Sequence, residues 1–269
     1  MTLTPSTMTR KSWRPTPLIS GSAVLGAAAI VATVVRPHVW PWTLATVVAD
    51  HLLLTGLGLW PRSQLLGSNW THLPASAAQR GAVAVTIDDG PNPDITPRVL
   101  QLLDDHQIKA TFFCIGDKVR RYAETAREIV RRGHAIENHS QRHVHHFSVM
   151  GLRGLTNEIS RAQDTISEVT GTRPMFFRAP AGLRNPLLDP VLSHLDLQLA
   201  SWTRRGFDTV TNNPDKVLGK LTRNLAKGDI LLLHDGNANR PVILEVLPRL
   251  LAQISGLGLQ PITLRAALT

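Results

Sequence analysis

The 269-residue chain has a single cysteine, Cys114. One thiol excludes an internal disulfide and a thiolate metal site, so any bound metal must be held by histidine and carboxylate. Cys114 sits in an apolar run and reads as core. Acidic residues are nearly missing from the first 80 positions, where Asp50 alone stands against six Lys and Arg for a net +5. Residues 81–269 carry 23 basic against 19 acidic side chains, and the two parts together give the formal +9. Basic residues beside an apolar N-terminus suit an anionic membrane surface or lipid headgroups rather than a nucleic-acid groove. There is no basic stripe with interleaved aromatics and no nucleic-acid motif, so nucleic acid is not an expected partner. No feature marks an obligate protein partner.

Charge is also missing from residues 18–35, an uncharged run preceded by Arg10, Lys11 and Arg14. Its length suits a short membrane span. No small-residue cleavage site follows before Arg36-Pro37, so the run reads as an uncleaved anchor rather than a signal peptide. A second candidate covers 42–60. On a helix, Trp42 and Trp60 would stand about 27 Å apart, close to a hydrocarbon thickness with an aromatic at each interface. Asp50 and His51 fall mid-span, where a charge costs about 2.5–3.5 kcal/mol unless it is paired or protonated. Arg10, Lys11 and Arg14 place the N-terminus in the cytoplasm. One span would put the rest of the chain outside, and two return it to the cytoplasmic face. Trp40, Trp42 and Trp60 around the second run, with Arg62 after it, favour the hairpin. The expected organisation is a membrane anchor over 1–60, a linker over 61–80 and one domain over 81–269. The protein would be anchored in a bacterial inner membrane with that domain on the cytoplasmic face.

From residue 81 onward, seven short apolar runs recur at 82–89, 111–116, 134–140, 175–180, 197–203, 229–235 and 258–264. Helical segments are expected at 97–106, 118–132, 156–170, 186–195, 214–227 and 242–257. Thr96-Pro97, Asn185-Pro186 and Asn213-Pro214 each put a capping residue before a Pro at the first helical position. Gly133, Gly171 and Gly228 stop helices. Strand alternating with helix means parallel β/α architecture. Seven units predict a distorted, incomplete (β/α)7 barrel, with a doubly wound open sheet as the other arrangement.

The chemical residues gather at the ends of these strands. Asp88 and Asp89 end the first, His139 the third with His143 beyond it, and Arg178 lies near the end of the fourth. Trp202 closes the fifth and Asp208 follows in its loop. His234 and Asp235 end the sixth. In a β/α barrel these ends share one face, where active sites sit. A solvated turn, a surface ion pair or a core histidine would explain any one of them alone, but their common placement favours a site. His139 and His143 are four residues apart, so a helical turn would put both rings on one side to share a metal. Asp plus two His leaves a coordination position open, as in catalytic zinc sites. Arg178 can hold a carboxylate in its ionised form. Asp208 can orient and charge-stabilise His234 for proton transfer.

These residues resemble the signature regions of the polysaccharide deacetylases, the NodB-homology or carbohydrate esterase four family, over residues 82 to 265. Thr86-Ile87-Asp88-Asp89-Gly90 is similar to the family's Thr-Phe-Asp-Asp-Gly. His139 to His143 is similar to His-Ser/Thr-x-x-His, and Arg178 to Gly182 to Arg-x-Pro-Tyr-Gly. Trp202 with Asp208 resembles the fourth region, and Leu231 to His234 resembles Leu-x-Leu-His. The resemblance implies that Asp89, His139 and His143 bind a divalent metal, usually zinc. It implies Asp88 as general base held by Arg178, His234 as general acid tuned by Asp208, and the Ala181 N–H as an oxyanion donor. Ile87, Ala181, Arg205 and Val144 depart from the common pattern, which bears on the substrate and leaves the chemistry intact. The implied activity is metal-dependent hydrolysis of an N-acyl amide, acetyl first, on an amino sugar of a membrane- or envelope-associated glycan or glycolipid. The partners would be an amino-sugar glycan or lipid-linked saccharide, and membrane lipid. Deformylation of a lipid-linked amino sugar and a catalytically silent carbohydrate-binding barrel are the alternatives. One geometric demand follows. Adjacent strand residues point to opposite faces, so Asp88 and Asp89 share a pocket only if the strand breaks before Gly90.

Overall fold

The computed structural model describes residues 13–236 and 241–269. Arg10 and Lys11 of the topology signal lie outside the described residues. The chain opens with two helices, α1 (Pro17–Val35) and α2 (Trp40–Gly58), joined by a 3-10 turn over Pro37–Val39. They pack on each other as an antiparallel hairpin. Thr33 and Thr43 hydroxyls meet at 2.7 Å near the tip, and Ser22 Oγ donates to Asp50 Oδ2 at 2.6 Å. The mid-helix carboxylate is thus answered by a hydroxyl of the other helix. α1 has no buried residue and is apolar on every side, the pattern of a helix made for a non-aqueous surrounding. Its mean hydropathy reaches 2.2, and among the described residues it alone is long and apolar enough to cross a membrane.

Both open ends of the hairpin rest on the rest of the molecule. Trp13 Nε1 donates to Asp189 at 2.7 Å and Thr16 Oγ1 to the Leu65 carbonyl at 2.8 Å, while the Arg184 N–H donates to the Gly58 carbonyl at 3.1 Å. The stretch 61–80, expected as a linker, is packed against the barrel instead. It carries α3 (Ala75–Gln79) and the buried side chains Leu66, Leu73 and Ala77. Trp70 pairs with Ala200 along a free strand edge, the Leu73 N–H donates to Gly228, and the Trp70 ring meets Phe176 edge-on at 5.1 Å. Burial of these apolar side chains holds it in place.

The barrel follows as β1 (Ala82–Gly90), α4 (Thr96–Asp105), β2 (Thr111–Cys114), α5 (Gly116–Arg121), α6 (Ala123–Arg131), β3 (Ala135–Asn138), α7 (Leu152–Thr170), β4 (Phe176–Phe177), α8 (Leu188–His194), β5 (Gln198–Leu199), β6 (Arg204–Arg205), α9 (Pro214–Thr222), β7 (Ile230–His234), α10 (Ile243–Gly256) and β8 (Gln260–Pro261). The strand order is β5-β4-β3-β2-β1-β7-β6, and every pairing is parallel. Seven parallel strands with helices outside make the distorted, incomplete (β/α)7 barrel that the sequence pattern predicts. The seventh stave differs from the expected one. The last apolar run forms β8, which pairs only with Ala82 and Val83 at the base of β1. The stave is β6, a strand of two arginines. The helix expected over 118–132 is two helices, because the backbone of Tyr122 (φ −118°, ψ 50°) leaves the helical region.

Alternation along β1 sets the two sides of the wall. Val83, Val85 and Ile87 join the core between sheet and helices with Val99, Leu103, Leu231, Leu233 and Leu250. Ala82 and Ala84 face the barrel interior with Phe113, Phe176, Trp202 and Leu232. By the same alternation Thr86 and Asp88 face the interior, which carries the chemical residues to the carboxyl end of the barrel.

Candidate active site

Asp89 meets the geometric demand through a bulge. In the β1–β2 ladder Asp88 pairs with Phe113 and Gly90 with Cys114, leaving Asp89 as the extra residue. Its φ is +72°, a left-handed conformation that Asp tolerates better than most side chains. The bulge returns Asp89 to the face of Asp88. Gly90 is required for a different reason, because a Cβ there would lie 2.6 Å from Asp235 Oδ1.

Asp89, His139 and His143 offer ligand atoms all within 4.8 Å of one another. Asp89 Oδ1 lies 3.3 Å from His139 Nε2 and 3.4 Å from His143 Nε2. The two rings converge without the helical turn expected for them. Ser140 and His143 both have positive φ (66° and 54°), and Ser140 Oγ accepts from the His143 N–H at 3.0 Å. A tight polar turn therefore brings the imidazoles together, with ring centroids 4.8 Å apart. His139 Nδ1 lies 2.8 Å from the Arg178 carbonyl. That carbonyl can only accept, so the proton sits on Nδ1 and the Nε2 lone pair faces Asp89. Asp89 Oδ1 is buried and has no hydrogen-bond partner. Acceptors turned toward one another around an orphaned carboxylate oxygen fit a divalent cation, and two imidazoles with a carboxylate are a zinc donor set.

The charges are ordered around this cluster. Burial works against ionised Asp89, but His139, His234 and His143, when they carry protons, outweigh it and hold the carboxyl well below its usual range. Burial and the neighbouring His139 lower the His143 pKa, which favours the neutral ring a metal needs. Arg178 is fully buried, and its pKa is pulled down by that burial against the charge of Asp88. Its Nη1 donates to Asp88 Oδ1 and to Thr86 Oγ1, both at 2.7 Å; Nε and Nη2 donate to the Ala200 and Ser201 carbonyls. Every donor direction but one is fixed, which leaves Asp88 Oδ2 turned to the cavity, 3.9 Å from His139 Nε2.

Across the cavity, Asp208 gives both oxygens to His234. Oδ1 lies 2.9 Å from Nδ1 and Oδ2 accepts the His234 N–H at 2.7 Å. Burial lowers the imidazole pKa, but the Asp208 hydrogen bond and charge, with Asp88 and Asp89 behind them, raise it overall. Ala181 lies at φ +55° in the turn after β4, where the Gly182 and Leu183 N–H groups close on the Ala179 and Pro180 carbonyls. The turn does not use the Ala181 N–H. Asp88, Asp89, His139, His143, Ala181 and His234 line one cavity of about 210 Å³. All eight residues expected at the site, including Arg178 and Asp208 in its wall, are therefore brought together.

Sequence reasoning missed several neighbours. Thr86 supports the Arg178 guanidinium, and Thr96 Oγ1 donates to Asp235 Oδ2 at 2.5 Å beneath the bulge. Burial pushes Asp235 up to about 7, against Thr96 and Lys118. Lys118 Nζ donates to the Asp89 carbonyl at 2.8 Å and the Gly236 carbonyl at 3.3 Å, tying the bulge to the loop after His234. A lysine opening an amphipathic segment carries no sequence signal for this role. Arg205 also lines the cavity.

The arrangement can bind a metal, take a proton at Asp88 and give one from His234, the equipment of an amide hydrolase. The polysaccharide deacetylase family model matches residues 75–200. A Bacillus cereus peptidoglycan-N-acetylglucosamine deacetylase is 31% identical over 183 residues, 67% of this chain and 85% of the relative. A chitooligosaccharide deacetylase of Azorhizobium caulinodans is 32% identical over 158 residues, 58% of this chain and 75% of that one. The family 4 carbohydrate esterase of Streptomyces lividans, solved in complex with acetate, superposes with a TM-score of 0.62 at 30% identity, covering 67% of this chain and 91% of that one. The chain belongs to the polysaccharide deacetylase family, carbohydrate esterase family 4 of the NodB type.

Proposed function

We propose that the protein is a membrane-anchored, zinc-dependent deacylase that removes an N-acyl group, acetyl first, from an amino sugar of a membrane- or envelope-associated glycan or glycolipid. The observation that carries this is the facing set of Asp89 Oδ1, His139 Nε2 and His143 Nε2, with Asp88 on one side and the His234–Asp208 pair on the other. Amino-sugar deacetylases among the relatives support the bond. Asp89, His139 and His143 would hold a divalent ion, which would supply Lewis acidity and acidify a water. Asp88 Oδ2 then takes the proton of the attacking water, while Arg178 holds Oδ1 and keeps the carboxylate aimed. The Ala181 N–H donates to the oxyanion that develops on the amide oxygen. His234 gives its Nε2 proton to the departing amine, and Asp208 compensates the imidazolium. The same groups serve a formyl amide. The presence of each of these groups argues against a silent barrel.

Asp88→Asn and His139→Ala test the reading. The first retains metal and loses about 10²–10⁴-fold in turnover; the second loses metal. A wild type without metal whose His139→Ala variant behaves identically would falsify the proposal. Mass spectrometry of envelope glycolipids with and without the protein identifies the acyl group.

The hairpin supports a membrane anchor with its apolar exterior, its Ser22–Asp50 pairing and exposed Trp40, Trp42 and Trp60 near its ends. Contact of both open ends with the barrel supports a barrel on the side of the N-terminus, and the positive-inside rule favours the cytoplasm for that side.

A further inference from the structure

The two arginines of β6 have opposite surroundings. Arg204 Nε donates to Asp229 Oδ2 at 2.5 Å, and its other nitrogens donate to the Arg223 and Asn224 carbonyls. Arg205 points to the other face of the strand and lines the catalytic cavity. Its guanidinium lies 5.4 Å from the Trp202 ring centroid and 5.0 Å from that of Phe207. Rings engage a guanidinium by its flat faces, whereas its five N–H donors lie in its plane. Among the described residues no carboxylate pairs with Arg205, and its Nε is buried without a partner. The acidic groups of the site are otherwise accounted for: Asp88 by Arg178, Asp208 by His234, and Asp89 by its place in the candidate metal cluster. A guanidinium cannot escape by losing its proton, and a desolvated donor left unpaired is unfavourable. Among the described residues nothing supplies that partner, which leaves the guanidinium open to a group brought by a ligand.

We infer that Arg205 is the counter-charge for an anionic group, phosphate or carboxylate, carried by the substrate on or beside the acylated sugar. The cavity thereby selects anionic amino-sugar derivatives over neutral ones. This rests on the deacylase reading above. Trp202 and Phe207 hold the side chain, so the charge is in position before substrate arrives and its effect falls on binding.

The test uses the full chain in detergent micelles, loaded with zinc. Three probes are compared: triacetylchitotriose, its 1-phosphate, and a trisaccharide of the same length containing N-acetylmuramic acid, which adds a carboxylate. Wild type is expected to favour one anionic probe by about tenfold or more in kcat/KM, mainly through KM. Arg205→Ala should bring that preference to within about twofold, and Arg205→Lys should restore part of it. The favoured probe tells phosphate from carboxylate. A wild type without preference, or a variant that slows all three probes equally, overturns the inference. Calorimetric binding of N-acetylglucosamine 1-phosphate against N-acetylglucosamine, in wild type and Arg205→Ala, separates it from the deacylase reading. Tighter phosphate binding that depends on Arg205 without turnover of any probe would sink the deacylase and keep the anion site. Equal binding of both sugars sinks the anion site.

Discussion

His234 can give a proton only while it is protonated, and Asp208 sets the pH range over which it is. The carboxylate raises the imidazole pKa against its burial, so with His234 as the proposed acid the alkaline limb of the kcat profile is expected above the range of an ordinary histidine. Asp208→Asn removes the charge, and the limb should move to lower pH; a profile with an unmoved limb would exclude His234 as the acid. A second histidine acts on stability alone. His134 accepts the Ala110 N–H at Nδ1 (3.1 Å), its Nε2 is buried and unpartnered, and burial holds its pKa down to about 4 from 6.5. The folded state then refuses a proton that the unfolded chain takes. Above pH 6.5 both forms are neutral and the stability is fully present; it is lost as pH falls toward about 4, by as much as about 3 kcal/mol. Thermal unfolding between pH 7 and 4 should show this loss in wild type and a shallower one in His134→Asn, whose amide oxygen can still accept from Ala110.

Among the elements, β1 carries the most chemistry, and its function depends on one extra residue. Lys118 on α5 holds that bulge by its carbonyl. Lys118→Met should weaken metal affinity about 10–100-fold, as loss of a supporting contact to a ligand commonly does, with little change in unfolding temperature. Equal metal affinity would show that the bulge stands without it. Glu137 on β3 is fully buried, accepting from the Met175 and Phe176 N–H groups and pairing with Arg265 at 2.5 Å. Glu137→Ala should destabilise the barrel by about 3–5 kcal/mol by leaving the Arg265 Nε and two N–H groups unanswered, read as a lower denaturation midpoint. The apolar runs were legible because they repeat with the period of their structure. Of the three capping pairs, Asn213-Pro214 caps its helix, whereas α4 starts at Thr96 itself behind Ile95 and α8 at Leu188 behind Leu187. The strand ends were legible because polar residues interrupt those runs at one place. The bulge and the Ser140–His143 turn were not, since both rest on positive φ at residues other than glycine. β6 was hidden for another reason: Arg204-Arg205 has no apolar signature, and its pairing to β7 alone makes it a strand. The 61–80 stretch looked like a linker because it has no continuous apolar run: Leu66, Trp70, Leu73 and Ala77 stand singly among polar and small residues, and although they are spaced four, three and four apart, only Ala75–Gln79 is helical.

At the scale of the whole molecule, the α1–α2 hairpin stands on the barrel and touches it through both of its open ends. A reporter that is active only outside the cytoplasm, fused after Thr269, should stay silent if the hairpin inserts as proposed; a signal from it would place the barrel on the other side. Supplying zinc to the stripped protein should raise its unfolding temperature in a concentration-dependent way, because the ion binds the folded state alone, and His143→Ala should abolish that shift. The contact between Gly58 and Arg184 has a further consequence. Arg184 follows the Ala181 turn within a few residues, so the pocket and the hairpin are joined with no leash between them. With the hairpin in a membrane, as proposed, the pocket would be held at one altitude above the bilayer. Substrates would then be sorted by how far from the lipid surface their sugars stand before any side chain in the pocket meets them.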